Sequence, residues 1–130
     1  MNRESIPSQR SLRETVESWA HFKLPDRSAV SNVHTEQGID AAIWAKLTIP
    51  EESKAEFLRA TGFTGQLSTT DRPLRTLLLS QEPWWRPDEL TPFQSGNAIR
   101  EEGQRRFGIS LLMGRTGDQA WTVYLFVTSL

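Results

Sequence analysis

Two histidines, the carboxylates near them, and a set of arginines around two adjacent tryptophans are the residues that could do chemistry here. His34 and Glu36 lie two positions apart, with Asp40 close behind. Imidazole and carboxylate side chains bind metals and carry protons. His34 with Glu36 could touch a metal, and His34 with Asp40 or Glu36 in a cleft would support hydrolysis. Two ligands on a loop recur by chance, so no metal is assigned. His21 falls near the end of the first predicted helix, where a cation favours the helix dipole. Its reading is structural. Cysteine is absent, which removes thiol nucleophiles, thiolate metal sites and disulfides. No nucleophile elbow, P-loop or dinucleotide fingerprint occurs. Gly114-Arg115-Thr116-Gly117 reads as a hairpin turn rather than a phosphate loop. Glu51-Glu52 opens a helix, and Glu101-Glu102 is a solvated charge pair. The expectation is a non-enzymatic protein with no catalytic residue and no cofactor.

Binding residues are the stronger signal. Pro83-Trp84-Trp85-Arg86-Pro87 places two tryptophans between two prolines. Proline fixes its own φ and pushes the residue before it toward extended backbone. The stretch therefore reads as a stiff, extended connection, in which neighbouring side chains turn to opposite sides. Trp84 is expected in the core and Trp85 at the surface, with Arg86 free to stack on an aromatic face. Arg72, Arg75 and Arg86 bracket this loop, while Arg100, Arg105 and Arg106 precede the last hairpin. Converged, they make an Arg-Trp surface suited to an acidic protein partner or an anionic small ligand. Unconverged, they are a scattered, solubilising set. Trp44 completes the candidate binding residues.

These side chains need elements to position them. Leu12, Val16, Trp19 and Ala20 form one stripe of an amphipathic helix over Ser8 to Phe22, ended by Leu24-Pro25. Ala29-Val30 and Val33 suggest a short edge strand. Ile39, Ala41, Ile43, Ala45, Leu47 and Ile49 alternate with Asp40, Ala42, Trp44, Lys46 and Thr48, which is a strand of period two. Trp44 belongs to its second face. Pro50 with Glu51-Glu52 starts a helix running to Thr61. Gly62 is its left-handed stop, with Phe63 folding back onto Leu58. Asp71-Arg72-Pro73 could open a short helix through Leu78. Residues 87–104 read as a long connection, with a turn of helix near Asn97–Glu101. Ile109, Leu111 and Met113 begin a hairpin that turns at Arg115–Gln119. Its second strand, Ala120 to Thr128, puts Trp121, Val123, Leu125 and Val127 on one face, opposite Tyr124 and Phe126. Two largely apolar faces mark a central strand, half-covered by the Trp loop.

The chain has 130 residues, enough for one domain with a sizeable core. The expected fold is α+β, an antiparallel sheet of three to five strands with two main helices packed on one face. Residues 1–7 form a flexible tail and 8–130 a single domain. Lys+Arg 15 against Asp+Glu 16 gives a net charge of −1, which argues against a nucleic-acid surface built on bulk charge. No run of about 18 apolar residues suggests a membrane span. The first residues show no apolar signal-peptide core, so a cytoplasmic location is expected.

Leu24-Pro25, Ala29, Val33, Gly38-Ile39-Asp40, the strand ending in Pro50, Phe57-Leu58 and the Pro-Trp-Trp-x-Pro loop occur together. Over residues 24–130 this resembles a loosely defined group of short, uncharacterised bacterial proteins, some of them lipoprotein-like. This chain lacks an acylatable cysteine, so the resemblance implies no anchor and carries no activity across. It implies a single domain. The preferred expectation is a small protein-binding domain, of the kind a bacterial immunity or inhibitor protein uses to occlude a toxin or enzyme. The alternative is a small-ligand-binding domain, with the Trp loop as lid over an apolar pocket.

Overall fold

Alternation builds the centre of the sheet. Ile43, Ala45, Leu47 and Ile49 enter one buried cluster, while Ala42 and Trp44 enter another on the opposite face. The computed structural model describes residues 9–37, 41–63, 67–69 and 82–129. Along the chain these form helix α1 (Gln9–Ala20), strands β1 (Ala29–Glu36) and β2 (Ala42–Pro50), and a 3₁₀ turn at Glu51–Ser53 leading into helix α2 (Lys54–Thr61). A second 3₁₀ turn at Pro87–Glu89 precedes strands β3 (Gln94–Glu102), β4 (Arg105–Thr116) and β5 (Ala120–Ser129). One five-stranded antiparallel sheet results, ordered β1-β2-β5-β4-β3. The class is α+β. The expected tail over 1–7, the strand start at Ile39 and the short helix after Asp71 lie outside the described residues. No described helix is long and apolar enough to cross a membrane.

The larger cluster joins sheet and helices. Val16 and Ala20 of α1, Phe57 of α2, and Trp121, Val123, Leu125 and Val127 of β5 share it with Phe107, Ile109, Leu111 and Met113 of β4. Leu12 and Trp19 are half-buried against it. The period of 3.6 in α1 thus meets the period of two in the strands. Arg13 locks the link between α1 and β1. Its guanidinium donates to the carbonyls of Leu24, Pro25, Asp26 and Ser28. Glu17 completes the clamp by accepting from Arg13 and from the Leu24 amide. Beyond the Arg13–Glu17 pair, four positions apart, this clamp has no local pattern in the sequence, because its other partners for Arg13 are backbone groups 11 to 15 positions away.

Helix α2 ends as expected. Gly62 takes φ +93, its amide donates to Arg59 O, and the Phe63 amide donates to Leu58 O. That pair of bonds satisfies carbonyls the helix would otherwise leave orphaned.

Two expectations need correction. The connection over 87–104 contains no helix near Asn97–Glu101. Those residues lie in β3, which pairs with β4 over nine positions. Its sequence lacks strand alternation because it is an edge strand, and cross-strand pairing decides its conformation. Gly96 has a tertiary reason: a Cβ there would stand 2.9 Å from both Phe63 and Leu67. The strand at Ala29–Val33 is also longer than expected, continuing to Glu36 past a bulge between Val30 and Asn32.

Candidate functional site

The Trp loop is a turn, not an extended segment. The Trp85 amide donates to Glu82 O at 3.1 Å, which closes a four-residue turn with Pro83 second. Proline suits that position because its φ is preset. The turn curls both indoles toward the sheet, so they do not take opposite sides. Trp85 is 8% exposed and meets Tyr124 edge-on at 5.3 Å. Trp84 is half-buried and meets Trp85 edge-on at 5.7 Å. The expected order is therefore reversed. Trp85 is the core residue, and Trp84 covers it.

Glu82 pins this loop to β1. Its carboxylate accepts from the Trp84 indole at 3.0 Å and lies 2.9 Å from His34 Nδ1. His34 Nε2 lies 3.1 Å from Glu36. Both nitrogens of His34 thus face carboxylates, and the ring packs edge-on against Trp44. Through Glu82, His34 holds β1 to the Trp loop. Asp40 lies outside the described residues. Trp44 is 8% exposed, and among the described residues its indole N–H has no hydrogen-bond partner.

The arginines separate. Arg86 is exposed, donates to Pro83 O at 3.0 Å and stands 4.0 Å from Glu89. Arg100 donates to Ala60 O at 3.3 Å and lies over the Phe22 ring. Arg105 and Arg106 are exposed at the β3–β4 turn, where Arg106 pairs with Glu101 at 3.6 Å. Arg72 and Arg75 lie outside the described residues. Arg105 and Arg106 therefore meet neither Trp84 nor Trp85. They line a cleft with Trp19, His21 and Phe107.

That neighbourhood is a cleft of about 460 Å³ between the end of α1 and one end of the sheet. Ser18, Trp19 and His21 form one wall. Gln104, Arg105, Arg106 and Phe107 form another, with Gln37, Ala41, Val127 and Ser129 between them. His21 shapes it. It stops α1 at φ 62, a left-handed conformation that costs a non-glycine residue about 1–2 kcal/mol. In return its ring stacks on Phe107 at 4.6 Å. A second hollow adjoins, lined by His21, Phe22, Lys23 and Arg100 beside Glu17 and Ser18. Glu17 is already engaged by Arg13 and the Leu24 amide. Among the described residues no carboxylate lines the first cleft. It offers two guanidiniums, an imidazole and two aromatic rings.

Sequence reasoning singled out Arg100, Arg105 and Arg106 but missed Trp19 and His21 as their neighbours. A Trp near the end of an amphipathic helix reads as core, and only the packing of α1 on the sheet brings it beside Arg105. Comparison with family models, curated proteins and solved structures finds no match.

Proposed function

We propose that this chain is a small non-enzymatic protein-binding domain that takes an acidic partner surface at the cleft of Trp19, His21, Arg105 and Arg106. The supporting observation is the pair of exposed guanidiniums beside a half-buried tryptophan, with no carboxylate among the described lining residues. Arginine and tryptophan are the residues that most often carry binding energy at interfaces. Guanidinium forks also match carboxylates in planar geometry. A cytoplasmic bacterial immunity or inhibitor protein, which occludes an acidic patch of a toxin or enzyme, is the physiological form this reading takes.

The test starts with capture of partners from the native host and identification by mass spectrometry. The purified partner is then titrated with wild type and with Arg105→Glu/Arg106→Glu. The double reversal should weaken binding by about a hundredfold, equivalent to about 2.7 kcal/mol. Wild-type affinity should fall steeply with salt. Equal affinity of wild type and double variant would overturn the proposal.

A further inference from the structure

A third hollow, of about 470 Å³, lies at the other end of β4. Arg105 and Arg115 are ten residues apart on that strand, so about 33 Å separates the two sites. Trp121, Pro92 and Phe93 supply the apolar lining of this hollow. Thr91, Gln94 and Arg115 supply polar groups at its rim. The volume falls within the range of small-molecule sites, which combine an apolar lining with a few placed polar groups.

The charges beneath Trp121 are built, not scattered. Glu51 Oε1 accepts from Trp121 Nε1 at 2.6 Å and from Arg115 Nη2 at 2.8 Å. Lys54 Nζ stands 4.0 Å from the Trp121 ring and donates to Gln94 Oε1 at 2.8 Å. The Arg115 guanidinium lies 5.1 Å from the same ring. Among the described residues two cations and one carboxylate leave one positive charge in excess. The Gln94 oxygen accepts from Lys54, and its amide nitrogen carries two N–H donors. Among the described residues no carboxylate lines the hollow.

We infer that this hollow binds a small aromatic carboxylate, its ring against the apolar lining of Pro92, Phe93 and Trp121 and its acid group on Arg115 and the Gln94 amide. The lining selects it twice. Rings prefer edge or offset contact with other rings, and a charged acceptor gains most from a guanidinium. The inference is independent of the acidic-partner reading, which rests on residues at the far end of the sheet.

The test uses 2-naphthoate as probe and 2-naphthalenemethanol as its uncharged counterpart. Isothermal titration gives affinity, and the tryptophan indole signals in a proton–nitrogen correlation spectrum give location. The acid should bind about tenfold or more tightly than the alcohol, the size of one charge-assisted contact. The Trp121 indole signal should move and that of Trp19 should not. Arg115→Gln should bring the acid down to the affinity of the alcohol, whereas Arg115→Lys should keep part of the preference. Phe93→Ala should weaken both probes. Equal binding of acid and alcohol to the wild type, no binding of naphthoate, or movement of Trp19 in place of Trp121 would each overturn the inference. The wild-type comparison needs no variant to fold.

Discussion

The ammonium of Lys54 sits 4.0 Å over the Trp121 ring, joining the first turn of α2 to the start of β5. Burial at this junction lowers the Lys54 pKa below its ordinary value of 10.5. Glu51 opposes the shift and Arg115 adds to it. In the interval between the lowered and the ordinary value, the unfolded chain holds more protons than the native one. Stability therefore rises with pH there, and the unfavourable share of Lys54 is fully present below the interval. Lys54→Met has no such dependence. In urea melts at pH 7 and pH 10, wild type should gain on the variant at the higher pH. A difference that stays constant, or moves the other way, would contradict the assignment.

Trp121→Ala should cost about 3–5 kcal/mol, because it removes a large, 7% exposed side chain from a strand paired on both sides. It also leaves Glu51 with one donor fewer. Thermal melts within a few degrees of wild type would show that the junction is not part of the folding core.

Trp85→Ala should cost about 3 kcal/mol, and Trp84→Ala clearly less, since Trp84 keeps partial exposure. Iodide quenching of single-tryptophan variants should reach Trp84 and spare Trp85. Stronger quenching of Trp85 would restore the extended geometry that the two prolines suggest.

Arg13→Lys should be destabilising by about 2 kcal/mol despite the retained charge. One ammonium cannot reproduce a guanidinium fork that reaches four carbonyls and Glu17, and charged hydrogen bonds contribute about 1.5–3 kcal/mol. Chemical denaturation measures it. An unchanged midpoint would mean that the clamp contributes nothing.

Glu82→Ala should loosen the Trp loop without unfolding the sheet. It removes the shared acceptor of Trp84 Nε1 and the partner of His34 Nδ1, a loss of about 1–2 kcal/mol. Hydrogen exchange should accelerate at the Trp84 indole while β5 amides keep their protection. Unchanged exchange at Trp84 would show that the loop is held by aromatic packing alone.

Much of this architecture was written in local pattern. The alternation of Ile43 to Ile49, the stripe of α1, the Gly62 stop and the two apolar faces of β5 each follow from a period or a cap within a few residues. Such signals survive in sequence because the helix and strand repeats are local properties of the backbone. The separate positions of Arg86, Arg100 and Arg105, and the reversal of Trp84 and Trp85, were not legible that way. A single turn hydrogen bond from Trp85 to Glu82 decides which indole faces Tyr124, and two prolines permit either geometry. The same holds for β3, whose conformation comes from its nine pairings with β4. It holds as well for Trp19, which shares a cleft with Arg105 only because α1 packs on the sheet. The chain thus determined most of its elements by short-range repetition, whereas β3 and the candidate sites arose from contacts between segments far apart, which no local period encodes.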